Sequence, residues 1–317
     1  MHPAYSVILF TTAAGAGYGL LVWLAVAVLL GAVLPFGATA AAGLVLALGL
    51  VTLGLLSSTL HLGRPERAWR ALSQWSTSWL SREGVLALAT YVPSGLWLLI
   101  ALAAPSGGWW FAGALLGLAS AVGALATVAA TGMIYQSLPT IRAWSDPLVT
   151  PVYILLSLAT GAALMALLVV MAAAGAAWIM QLGSALLVLS AVVKWTYWRR
   201  IDTAPRTWTA EAATGLGSIG RVRPLDPPHT QPNFVMREMG YRVARKHAQK
   251  LRLTALLAGF LAPAVLLLLA GATTGVLATL AAAVAVVCVG IGAMVERWLF
   301  FAEAEHVVML YYGAERV

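Results

Sequence analysis

Charge is what this sequence has least of: Asp, Glu, Lys and Arg together make up 9% of its 317 residues. A soluble domain carries about a quarter, because it must cover itself with solvated groups. Too few are present here to face water all round, so most of the surface must face lipid. Histidine is scarce too, and none of His2, His61, His229, His247 and His306 lies at mid-span. A bis-histidine haem within a helical bundle needs imidazoles projecting from inside the spans, so no haem is expected. The one cysteine, Cys288, sits inside an apolar run, which excludes a disulfide framework and any iron–sulfur cluster ligated by this chain alone. Apolar–polar alternation is missing, which excludes a transmembrane barrel. The opening Met1 to Ser6 carries no basic n-region, so the first apolar run reads as a permanent span rather than a cleaved signal.

What is abundant is hydrophobicity, at 61% of residues. Apolar runs of about 20 residues recur along the chain, the length a helix needs to cross the hydrocarbon core. Helices satisfy their own backbone groups and are therefore stable in lipid. The expected fold is all-α: a polytopic membrane protein, one bundle of about eight transmembrane helices occupying residues 1–317. The spans read as 11–34, 38–60, 84–104, 110–134, 150–174, 178–198, 252–271 and 275–298. They pair into hairpins through short uncharged turns such as Pro35-Phe36-Gly37 and Pro105-Ser106-Gly107-Gly108.

The remaining connections, 61–83, 135–149 and 199–251, are long and charged. All 19 Lys+Arg and all 11 Asp+Glu fall on the face that holds these connections, both termini and the helix ends that meet them. The positive-inside rule makes that face cytoplasmic, and the expected location is a bacterial inner membrane. The net charge of +8 is then a signal of orientation and of contact with anionic lipid, and no nucleic-acid partner is expected. The 199–251 arm is too long for a simple link. Its Pro-rich middle, Arg223 to Pro232, should run extended. The stretch from Phe234 to Arg252 reads as a basic helix feeding the next span. Such an arm can wrap a partner, or lie as a solvated loop on anionic lipid.

Gly215-Leu216-Gly217-Ser218-Ile219-Gly220 has the spacing of a dinucleotide fingerprint, but no strand–turn–helix unit surrounds it, so no nucleotide site is assigned. In the 61–83 connection Trp69, Leu72, Trp75 and Trp79 fall at helical spacing, which predicts a short amphipathic helix in the interface. Ser81 is placed to cap the following span, with Glu83 in its first turn, where the helix dipole favours an anion. His61 ends a span beside apolar surface, with Arg64 close in sequence. Imidazole titrates near neutrality and carboxylates accept protons, so a His/Glu/Arg cluster rimmed by Trp suits binding and deprotonation of a quinol. Near the C-terminus, Glu296, Arg297, Glu303, Glu305 and His306 form a second cluster, with Glu303 and His306 on one face by their i, i+3 spacing; it reads first as a solvated amphipathic extension of the last helix and second as a site.

The run His61-Leu62-Gly63-Arg64-Pro65, continuing through Arg67-Ala68-Trp69 to Ser78-Trp79-Leu80-Ser81-Arg82-Glu83, resembles the membrane anchor subunit of dimethyl sulfoxide reductase. Met133-Ile134-Tyr135-Gln136-Ser137-Leu138, the following Asp146-Pro147-Leu148-Val149, and Phe301 to Val308 resemble it too. The resemblance implies a haem-free anchor that exchanges electrons with quinone or quinol (menaquinone or ubiquinone). Its implied partners are an iron–sulfur electron-transfer subunit and a molybdopterin catalytic subunit. It ties His61 and Glu83 to quinol binding. Arg64, Trp69 and Tyr135 are added as quinone-site candidates from their position near the same membrane face. No catalytic residue and no metal ligand is expected. The opening His2 to Val7 and the basic arm are more similar to the branch of the family whose enzymes oxidise sulfite and deliver electrons to quinone. Two other classes stay open: a secondary transporter, disfavoured because no charge lies at the centre of a span, and a structural anchor without a quinone site.

Overall fold

A computed structural model describes residues 3–60, 62–103, 109–205, 208–226, 229–239 and 243–315, side chains of 243–246 excepted. Among the described residues it is all helical, without strands, and has 8 helices long and apolar enough to cross a membrane. The spans are α1 (Tyr5–Leu29), α2 (Ala38–Thr59), α3 (Trp79–Ala103), α4 (Trp110–Gln136), α5 (Val149–Met171) and α6 (Ala177–Thr203). After the short helices α7 (Ala210–Thr214) and α8 (Phe234–Met239), the seventh span is composite. It joins α9 (Val243–Thr254), a π-helical stretch (Ala255–Leu261) and α10 (Ala262–Ala272). The last span is α11 (Gly275–Ala302).

Consecutive spans pack as the hairpins α1–α2, α3–α4, α5–α6 and α10–α11, as the short turns require. Helix α1 is the centre, packed on α2, α4, α5 and α11, and it is buried on most of its surface. Lipid supplies no hydrophobic drive for helices to associate, so close packing through small residues does that work. Two crossings show it. A Cβ on Gly161 would lie 2.2 Å from the Gly19 carbonyl carbon, and one on Gly292 would lie 2.2 Å from Gly259 Cα. Outward faces carry exposed Leu, Val and Ile along the length of every pair, for example Leu53, Leu99, Leu189 and Val287.

Several boundaries differ from the sequence reading. The first span starts at Tyr5 rather than residue 11, because Thr11 and Thr12 donate their hydroxyls back to carbonyls of Val7, Ile8 and Leu9 and so sit inside the helix. Helix α3 begins at Trp79, so Ser81 is a buried residue of its first turn, not the cap. The last helix runs to Ala302 and His306 opens a separate 3-10 turn, Val307–Leu310, so Glu303 and His306 do not share a helix face. In the arm, Gly215 ends α7 in the left-handed conformation (φ 70°). The glycine run thus serves as a helix stop. The arm and the C-terminal tail are stitched together by Arg221–Glu315 at 2.5 Å and by Asn233 Nδ2 donating to Tyr312 Oη at 3.0 Å.

Candidate functional site

The 61–83 connection folds as a 3-10 helix, Pro65–Gln74, lying against the start of α3. Gly84 permits this approach, since a Cβ there would stand 2.8 Å from Leu72 Cδ2. Between this short helix and the ends of α1 to α4 lies a cavity of about 440 Å³, within the range of about 300–1,000 Å³ usual for small-molecule sites. Val7, Phe10, Leu55, Leu62, Ala71, Leu72, Leu80 and Ile134 make most of its wall apolar. Its polar lining includes Glu83, Tyr135, Arg64 and Arg67, the two arginines being exposed.

Glu83 is buried, with 4% of its surface exposed, although it belongs to a helix that starts only four residues earlier. Its partner is Thr131 of α4, whose hydroxyl donates to Oε1 in a short contact. Thr131 also reaches the Thr127 carbonyl at 3.0 Å. The carboxylate is therefore held across a helix interface, not by the dipole of its own helix as the spacing suggested. Tyr135, half-buried, stacks on Tyr153 (centroids 5.7 Å, 19°) and meets Trp144, Phe300 and Phe301 edge-on at 5.1–5.4 Å. This aromatic box closes the cavity on the side of α5 and α11.

Of the sequence candidates, Glu83, Arg64 and Tyr135 line one cavity. His61 lies outside the described residues. Trp69 is not at the cavity: it is 66% exposed, with the Arg70 guanidinium 5.5 Å from its ring. The cavity-facing positions recur as Arg64, Arg67–Ala68 and Ala71–Leu72, a spacing near four that turns Trp69 and Trp75 outward.

Behind the aromatic box is a second polar group; the sequence put Glu296 and Arg297 in one cluster but missed their partner Lys194. Lys194 of α6 is in ion-pair contact with Glu296 of α11, whose Oε2 lies 3.2 Å from Arg297 Nε. All three side chains are 3% exposed or less. Aromatic faces complete their shell: Lys194 Nζ is 4.0 Å from the Tyr197 ring and Arg297 Cζ is 3.5 Å from the Tyr153 ring. Glu296 and Arg297 are thus core residues, and their reading as a solvated extension does not hold. The available signal was Lys194 inside an apolar run: an ionisable residue in a span needs a partner. Further out, Arg252 bridges Asp202 (2.6 Å) and Glu303 (3.0 Å), tying the seventh span to the ends of α6 and α11. Burial pushes the Glu303 carboxyl above its usual range, with Arg252 opposing it.

The sequence model of the DMSO reductase anchor subunit (DmsC) family matches residues 1–212. This chain belongs to that family. It is also 31% identical to a sulfite dehydrogenase subunit of Allochromatium vinosum, over an alignment of 340 residues covering 98% of this chain and 99% of the relative. The DmsC-family chain is accordingly the membrane anchor subunit of an oxidoreductase, and its partners are catalytic oxidoreductase subunits. The family match includes the cavity, its 3-10 helix and Glu83, while the second polar group draws Glu296 and Arg297 from beyond the matched region.

Proposed function

We propose that this anchor subunit exchanges electrons and protons with the quinone pool in the Glu83 cavity. The observation that supports it most is a buried carboxylate at the wall of a mostly apolar cavity, at the end of the bundle where the charged connections emerge. Quinone is a diffusing substrate here: a planar apolar ring with oxygens at opposite edges. An apolar cleft accepts the ring, Glu83 exchanges a proton with one oxygen, and Tyr135 packs beside it. His61, next to the cavity residue Leu62 in sequence, supplies the second proton-exchanging group. Arg64 and Arg67 at the exposed side attract the developing negative charge. Trp69 is left as an interfacial anchor.

The chain holds no redox centre in this reading. Electrons pass to or from an iron–sulfur subunit docked on the same face, and onward to a molybdopterin subunit. Sulfite oxidation with delivery to menaquinone or ubiquinone is the favoured direction, because the Allochromatium vinosum relative serves a sulfite dehydrogenase. The 3-10 helix and the 199–251 arm form the docking surface, where charge complementarity sets orientation more than affinity. The face is cytoplasmic, both termini lie on it, and the membrane is the bacterial inner membrane.

The test is Glu83→Gln in the purified complex, assayed with a short-chain quinone and separately with an artificial dye that reacts with the catalytic subunits. Quinone-coupled turnover should fall by about 10²–10⁴-fold, the usual worth of a general acid–base group, with dye-coupled activity unchanged. Equal loss of both would make Glu83 an assembly residue. Full retention of both would place the quinone elsewhere.

A further inference from the structure

Joined to Glu83 through its partner Thr131 lies a second, much smaller void. It measures about 20 Å³, room for one water, and lies between α1, α4, α5 and α11. Thr131, Tyr18, Tyr153 and Arg297 line it. Tyr18 Oη, Tyr153 Oη and Arg297 Nη1 are buried; Tyr153 interacts with Arg297 and Tyr18 with Thr127, but none of the three atoms reaches a direct hydrogen bond of full geometry, which leaves capacity for a bridging water. Dry cavities are apolar; polar groups with unfilled hydrogen-bonding capacity around a void of this size suit a water. Thr131, one of the wall residues, also hydrogen-bonds Glu83.

We propose that this void holds a water that feeds protons to Glu83 through the Thr131 hydroxyl, a route separate from the open mouth of the quinone cavity. The inference rests on the quinone reading above. In quinone reduction, two electrons arrive from the partner's iron–sulfur cluster and two protons are taken up, forming two O–H bonds. For one of these, Glu83 releases its proton to the quinone oxygen. Thr131 then donates its hydroxyl proton to the carboxylate, the direction in which the hydrogen bond already points, and recovers one from the water, which is in turn reprotonated by solvent water from the aqueous face, so that the net proton comes from bulk. Quinol oxidation runs the same steps backwards. Arg297 stays protonated and acts as a positioning residue, orienting the water by its Nη1 donor. Polar groups continue outward from Arg297 through Glu296 and Lys194, then Glu303, which interacts electrostatically with Lys194, to Arg252 and the half-exposed Asp202. That line leads from the void to the aqueous face.

The experiment compares Thr131→Val, which keeps the shape and loses the hydroxyl, with Thr131→Ser, which keeps the hydroxyl. Both are assayed in the complete complex for quinone-coupled kcat and KM, solvent deuterium isotope effect, bound quinone and dye-coupled activity. Thr131→Val should lower quinone-coupled kcat at least about tenfold and enlarge the isotope effect, with KM, bound quinone and dye-coupled activity unchanged. Thr131→Ser should restore kcat. If Thr131→Val turns over normally while Glu83→Gln does not, the relay is wrong and protons enter by the cavity mouth, with the quinone site intact. If Thr131→Ser is as impaired as Thr131→Val, Thr131 is structural and the relay is again wrong. Loss of bound quinone from neither Glu83→Gln nor Thr131→Val, with normal turnover in both, would remove the site itself. Should the Val variant fail to assemble, Tyr18→Phe and Tyr153→Phe carry the same test, each removing one hydroxyl from the void.

Discussion

Removing Glu296 should damage this protein far more than removing Lys194, although the two form one ion pair. The cluster holds two cations, Lys194 and Arg297, around the Glu296 carboxylate. Aromatic faces of Tyr197 and Tyr153 offset its surplus positive charge. Lys194→Met leaves Glu296 still paired with Arg297, a neutral unit, and fills the lysine's volume with an apolar chain. Replacing a buried charge in that way is often close to neutral, so the loss should stay below about 2 kcal/mol. Glu296→Gln breaks both pairs at once and leaves two cations facing a neutral amide. Breaking a buried pair costs about 3–5 kcal/mol, equivalent to a fall of roughly 5–8 °C in melting temperature for a chain of this size. The double variant Lys194→Met with Glu296→Gln should recover part of that loss, because one unpaired cation has gone. The assay is thermal unfolding of each variant in one mild detergent, followed by tryptophan fluorescence and by retention of the monodisperse peak. Lys194→Met as damaging as Glu296→Gln, or a double variant worse than Glu296→Gln, would refute the charge arithmetic.

Other expectations follow from packing and position. Gly161→Ala would put a methyl 2.2 Å from the Gly19 backbone and should cost at least about 1–3 kcal/mol, whereas Gly49→Ala on the open face of α2 should be neutral or slightly stabilising in the same unfolding assay. Trp69→Ala should leave bound quinone and quinone-coupled KM unchanged, because the indole lies outside the cavity, while Tyr135→Leu should raise KM. Burial holds the His306 imidazole below its ordinary pKa, and its Nδ1 accepts the Val308 amide at 3.0 Å. The fold therefore favours neutral His306, so the stability of this turn is present above the ordinary imidazole value and is lost as pH falls through the folded one. Amide exchange of residues 307–310, corrected for intrinsic rate, should rise on mild acidification, and His306→Asn should flatten that dependence.

The spans were legible because crossing a bilayer is a demand on length and polarity alone, which a single chain displays. The hairpin order followed from turn chemistry of the same local kind. Side-chain destinations are different, since they depend on which helix faces which. Glu83 stands near a helix start in sequence, and local rules send it to the dipole; its actual partner, Thr131, is 48 residues away on α4. Trp69 and Leu72 share an apolar spacing, yet the 3-10 helix turns Leu72 to the cavity and Trp69 outward. A pattern of apolar positions cannot separate these two when both bilayer and cavity are apolar.

The buried ions make the same point from the opposite direction. Lys194 reads as one more basic residue at the cytoplasmic end of a span, consistent with the charge rule. That rule concerns translocation and explains why a lysine lies on that side; it says nothing about why one should be 1% exposed there. An apolar residue would serve the packing equally well and avoid desolvation, so stability alone gives no reason for the cluster. Its position does: Arg297 reaches the small void beside Thr131, and Glu296 and Lys194 lead from it toward Glu303 and the aqueous face. A polar line through an apolar bundle is costly to keep, and positioning the water of the proposed proton relay is a use that would justify the cost.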